Sequence, residues 1–95
     1  KMRDEKYYVA LFKSKSHAIQ IIYVLENLGY KNNFQLISTP CEIQAGCGFS
    51  IKFNDIRYLE ILKEEAASLH LNIEKFYYIE RNSGKKVLKN LNHLI

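Results

Sequence analysis

Apolar positions along the chain follow two rhythms. Tyr7-Tyr8-Val9-Ala10-Leu11-Phe12 is an unbroken aromatic and aliphatic run without Gly or Pro, which predicts a buried strand. Ser14 and Ser16 then offer side-chain oxygens to the free N–H groups of a helix start. Ala18, Ile22, Leu25 and Leu28 follow at spacings of three and four, with Gln20, Glu26 and Asn27 between them, so a helix is predicted that lays one face on a sheet and stops at Gly29. Period two returns in Phe34 to Ser38, with Phe34 and Leu36 opposed to Gln35 and Ile37, and again in Phe49, Ile51 and Phe53 against Ser50 and Lys52. Asn54 is the expected cap of a second helix, whose stripe is Ile56, Leu59, Leu62, Ala66 and Leu69. A last strand is predicted over Asn72 to Glu80, through Ile73, Phe76, Tyr78 and Ile79.

The order β-α-β-β-α-β predicts an α+β fold, a ferredoxin-like βαββαβ sandwich with an antiparallel sheet and two helices on one face. The opposite sheet face is expected to stay open, with Tyr7, Lys75 and Tyr77 pointing to it, and to support a homo-oligomer. Residues 1–80 form this domain, and residues 81–95 are a C-terminal tail. In the tail Asn82-Ser83-Gly84 reads as a turn, and Val87, Leu88, Leu91, Leu94 and Ile95 predict a short amphipathic helix. Lys85, Lys86 and Lys89, with no acidic residue after Glu80, read as a solvated basic surface.

Composition narrows the class. Ninety-five residues suffice for one core, and 47% hydrophobic against 25% charged residues is a globular balance rather than that of a disordered chain. A net charge of +4 falls short of the concentrated basic footprint of a nucleic-acid binder, so no nucleic-acid partner is expected. No apolar run is long enough for a membrane span and the polar start lacks a signal-peptide core, so a cytoplasmic protein without a membrane partner is expected. Two cysteines do not make a secreted disulfide framework, and reduced thiols are the expectation.

The segment Thr39-Pro40-Cys41-Glu42-Ile43-Gln44-Ala45-Gly46-Cys47-Gly48 is longer than the usual hairpin loop of about two to five residues. Pro40 restricts its entry, and Gly46 and Gly48 leave the backbone unhindered on either side of Cys47. Through Thr39-Pro40-x-Glu42-Ile43-x-x-x-Cys47-Gly48 the chain resembles the selenium/sulfur (Se/S) carrier protein-like family of small bacterial domains, over roughly Tyr7 to Glu80. It departs from that pattern at Cys41, where the family more often has a polar or basic residue. The resemblance implies a carrier whose Cys47 sulfur holds a persulfide or selenium adduct, with sulfur or selenium donor and acceptor proteins as partners.

Such chemistry needs a thiolate, since a thiolate attacks and leaves more readily than a thiol. Turn N–H groups and the Lys52 cation are the available means of ionising Cys47, whereas Glu42, if close, would oppose ionisation and is assigned a structural role within the turn or a partner contact. Cys41 is a possible resolving thiol, which would make the loop a redox switch. The plain alternative treats Cys47 as a small half-buried residue at a strand entrance, in a non-catalytic interaction or regulatory module. His17, His70 and His93 are scattered and do not form zinc-ligand spacings with the two cysteines, so no metal is expected. No phosphate loop, acid–base carboxylate pair or dinucleotide fingerprint occurs, so neither a cofactor nor an autonomous enzyme is expected. Gly46-Cys47-Gly48-Phe49 resembles the third strand of an RNA-recognition motif but has Cys47 where the first stacking aromatic belongs.

Overall fold

The computed structural model describes residues 4–43 and 48–95. Strand β1 (Glu5–Phe12) leads into helix α1 (Lys15–Asn27), then come β2 (Gln35–Ser38), β3 (Phe49–Phe53), α2 (Tyr58–Ser68), β4 (Ile73–Asn82), β5 (Lys85–Asn90) and a 3-10 turn at Asn92–Leu94. The fold is α+β: two helices and one five-stranded sheet in the order β2-β3-β1-β4-β5, with every neighbouring pair antiparallel.

Local chemistry explains the helix ends. Ser14 Oγ accepts the His17 N–H at 3.2 Å, which satisfies one donor of the first turn of α1. The buried stripe of α1 is Ala18, Ile21, Ile22 and Leu25. Leu28, expected in that stripe, is 53% exposed, because the helix has already ended and Leu28 occupies the cap position. Asn54 is not the cap of α2: the cap position is Arg57, which has no side-chain cap bond, and Asp55 closes the turn before the helix, its carboxylate accepting the Arg57 backbone N–H at 2.9 Å and gripping the Arg57 guanidinium. Tyr58 and Leu59 N–H groups then bond the carbonyls of Asp55 and Ile56, so Ile56 precedes the helix and is exposed, while Leu59, Leu62 and Ala66 are buried.

Both helices pack on one sheet face, where Ala10 and Phe12 of β1, Ile51 and Phe53 of β3 and Phe76 of β4 meet Ile21, Leu25, Leu59 and Leu62. Tyr8, Phe53 and Phe76 lie on three adjacent strands with ring centroids 5.7 to 5.8 Å apart, and Phe34 joins Phe53 at 5.5 Å. Cross-strand aromatic contact of this kind adds about 0.5–1.5 kcal/mol per pair beyond burial.

Two expectations are corrected. The tail is not helical. Ser83 and Gly84 both have positive φ, +53° and +82°, the conformation of a two-residue hairpin turn that a glycine in the second position makes accessible. The chain therefore folds back at once, and β5 pairs with β4 from Asn82 with Lys85 to Tyr77 with Asn90. The free edge of β4 offers hydrogen bonds along a whole strand, which an isolated short helix cannot match. The end of the chain is tied down as well: Leu91 N–H donates to the Phe76 carbonyl at 2.8 Å, and Asn92 Oδ1 accepts the Phe76 N–H at 2.7 Å.

The second correction concerns the sheet face opposite the helices. It is not open at its centre: Val9, Leu11 and Ile79 are at most 4% exposed, beneath Tyr7, Ile37, Ile43 and Tyr77. Ile43 belongs to the loop between β2 and β3, so that loop covers the face. No helix among the described residues is long and apolar enough to cross a membrane.

Candidate functional site

The loop between β2 and β3 is built outward from the strands. Its last ladder rung pairs Ser38 with Phe49, and the Thr39 N–H continues the ladder by donating to the Gly48 carbonyl at 2.9 Å. Thr39 Oγ1 and Ser50 Oγ lie 2.6 Å apart. Ser50 is fully buried on the loop-covered face, opposite Leu11, so Thr39 is what keeps its hydroxyl satisfied. The Pro40 carbonyl then accepts the Ile43 N–H at 3.0 Å, closing a turn over residues 40–43. That turn sets Ile43 against Val9, Leu11 and Ile79.

Glu42 completes the crossing. Its carboxylate accepts a hydrogen bond from the ammonium of Lys86, on β5 at the far edge of the sheet from β2. The Lys86 hydrogen bond, helped by the backbone N–H of Glu42 itself, holds the Glu42 carboxyl below its ordinary value. Beside this pair, Arg81 binds Glu5 at 3.3 Å. Burial raises the Tyr7 phenol above its usual range, against the opposing pull of Lys86 and Arg81. Lys52, the cation expected to help ionise the loop thiol, stands 4.5 Å over the centre of the Tyr7 ring.

The structure thus brings Thr39, Pro40, Glu42 and Gly48 together as the anchored part of the loop, with Gly48 at a φ of +153°. Cys41 is exposed in the 40–43 turn. Gly46 and Cys47 lie outside the described residues. Among the described residues no group of three His, Cys, Asp or Glu side chains could hold a metal ion.

Three participants escape a reading by pattern. Ser50 looks like an ordinary outward strand residue between Phe49 and Ile51, and Lys86 like one of several tail lysines. Tyr7 is legible as a residue of the second sheet face, but not as the ring beneath Lys52. The available signal was the hairpin dipeptide Ser83-Gly84, which returns Lys86 to the sheet beside Arg81.

Residues 7–78 match the family described as “Putative Se/S carrier protein-like”. The chain belongs to this family. No curated protein and no solved structure matches it. The part matched to the Se/S carrier protein-like family includes the entire loop from Thr39 to Gly48 and ends at Tyr78, within β4. Lys86, which holds Glu42, therefore comes from a strand beyond the matched segment.

Proposed function

We propose that this Se/S carrier protein-like chain carries sulfur or selenium as an adduct on the Cys47 thiol, passing it from a donor protein to an acceptor. The observation that carries the reading is the anchoring of the loop: Thr39, Glu42, Ile43 and Gly48 each make a separate contact with the sheet or across the loop's base. Anchors at Glu42 and Gly48 fix the two described ends of the loop on the sheet, which lowers the entropic cost of docking a partner against them. In the reaction the Cys47 thiolate attacks the outer sulfur of a donor persulfide. The new S–S bond forms on Cys47, the donor's inner S–S bond breaks, and the donor cysteine leaves as a thiolate, so no outside oxidant is needed. The acceptor removes the outer atom by the same exchange.

Underneath, the sheet is read as a ferredoxin-like plan, β2-β3-β1-β4, to which β5 has been added. A persulfide carrier works where thiols stay reduced, so a cytoplasmic setting belongs to the same proposal. Exposure of Cys41 in the same loop supports a second reading, a redox switch in which Cys41 and Cys47 form a disulfide while a small-molecule disulfide is reduced to two thiols.

The deciding experiment gives the reduced protein a cysteine desulfurase plus cysteine and reads intact mass. Gain of one sulfur atom, lost in Cys47→Ser and kept in Cys41→Ser, supports the carrier. Failure of reduced, folded protein to gain sulfur or, with a selenium donor, selenium would overturn it. Loss of two hydrogens on treatment with the disulfide reagent, abolished by either substitution, would favour the switch.

A further inference from the structure

We infer that Lys86 is the positioning residue of the carrier loop: by binding Glu42 it fixes the loop across the sheet face, so β5 completes a site that the family-matched segment leaves unfinished. This rests on the carrier reading and names the residue that holds its loop in place.

Four charges lie along one row across the sheet. Glu5 pairs with Arg81 across β1 and β4, and Arg81 pairs with Lys86 across β4 and β5, so these three side chains project from the same face. Arg81 and Lys86 are thereby placed side by side on neighbouring strands, an arrangement that is destabilising when nothing offsets it. Arg81 is satisfied by Glu5 at 3.3 Å. Lys86 is satisfied by Glu42, brought in from the loop. The row reads acid, base, base, acid, and its last member is the only one not fixed by a strand.

Lys86 is thus asked to hold the loop, and the loop offers it a carboxylate whose own titration is shifted in the sense that such pairing demands. The Lys86 side chain is 30% exposed, so its stem lies on the covered face while its ammonium reaches the rim. On the loop side, the turn closed by the Ile43 N–H and the Pro40 carbonyl aligns two contacts at once, Glu42 with Lys86 and Ile43 with Val9, Leu11 and Ile79. Cys47 follows Glu42 by five residues and precedes Gly48 directly, so Glu42 and Gly48 are held contacts close to it on either side along the chain.

The test uses the full chain with Cys41→Ser as parent, leaving Cys47 as its only thiol. Lys86→Met keeps the length and removes the charge, Lys86→Arg keeps the charge, and Glu42→Lys with Lys86→Glu exchanges the partners. Amide hydrogen exchange at Ile43 reports the anchor independently of any sulfur chemistry, and the rate of sulfur gain from desulfurase plus cysteine reports its use. An exposed ion pair shifts such an equilibrium by about two- to fivefold. Lys86→Met should therefore speed Ile43 exchange and slow sulfur gain by about that factor, with both rates restored in Lys86→Arg and in the exchanged pair. Unchanged Ile43 exchange in Lys86→Met would overturn the anchor. Faster exchange with unchanged sulfur gain would overturn its role in positioning. A parent that gains no sulfur while Lys86→Met still loosens Ile43 would sink the carrier reading and leave the anchor standing.

Discussion

At the scale of single residues, the loop depends on a few polar contacts of unequal weight. The hydroxyl pair Thr39 and Ser50 matters most, because Ser50 is fully buried and has no access to water if its partner leaves. Stranding a buried hydroxyl costs about 1–3 kcal/mol, whereas removing both partners can be nearly neutral. Thr39→Val should therefore lower stability to urea by about that amount, and Thr39→Val with Ser50→Ala should recover most of it; equal losses in both would show that the hydroxyl pair does not matter. The Glu42 carboxylate contributes differently, since its partner sits at the rim and solvent screens the pair. Its pKa is depressed in the folded chain, so the pairing is fully present above the ordinary carboxylate value of 4.5 and is lost as pH falls through the lowered value. Titration of the Glu42 carboxyl carbon by NMR should show this depression, and Lys86→Met should move the midpoint back toward 4.5. Asp55, held to about 2 chiefly by the Arg57 guanidinium, supplies a second depressed carboxylate in the same titration that Lys86→Met should leave unmoved.

At the scale of elements, the hairpin between β4 and β5 is the piece that tests the account most directly. Its turn places Ser83 and Gly84 both at positive φ, where an L side chain is strained and a β-branched one most of all. Gly84→Val should destabilise the protein by about 1–3 kcal/mol. For a domain of this size that lowers the thermal midpoint by roughly 4–8 °C per kcal/mol, and Gly84→Asn, which tolerates this conformation, should lose much less. The same hairpin marks where the sequence was readable and where it was not. Four strands and two helices stand out because the unbroken aromatic and aliphatic run of Tyr7 to Phe12, the alternation of Phe49, Ile51 and Phe53, and the three-and-four spacing of Ala18, Ile22 and Leu25 each match a different template. The tail deceives because Val87, Leu88, Leu91, Leu94 and Ile95 fall at helical spacings, while the alternation of Lys86, Leu88 and Asn90 against Lys85, Val87 and Lys89 becomes meaningful only once a neighbouring strand is present. In the loop, the motif from Thr39 to Gly48 is plain in the sequence. What it rests on is not, because Glu42 meets a partner 44 residues away and Ile43 packs on strands from both ends of the chain.

At the scale of the whole molecule, burial on the second face decides how the protein behaves in solution. A stable dimer generally buries at least about 1,200 Å² around an apolar centre. The natural centre here would be Val9, Leu11 and Ile79, yet these are closed off within the chain by Tyr7, Tyr77, Ile37 and Ile43. Among the described residues the large apolar side chains that remain exposed lie on separate parts of the fold: Ile19 and Tyr23 on α1 and Leu28 at its end, Leu36 on β2, Ile56 before α2, Val87 and Leu88 on β5, and Leu94 and Ile95 after it. Spread in ones and twos over separate elements, such residues are normal for a monomer. The β5 edge also carries Lys85, Lys86 and Lys89, and lysines on an edge strand oppose sheet-to-sheet pairing between copies. Sedimentation velocity should therefore give one species of 11.2 kDa across a wide concentration range. Ile43→Asp should change that, because a carboxylate cannot stay against Val9, Leu11 and Ile79 and its departure uncovers them. Concentration-dependent association in Ile43→Asp alone would show that the loop covers the face as well as presenting its thiol. A parent chain that already dimerises at low concentration would mean that a different surface, not this face, governs assembly.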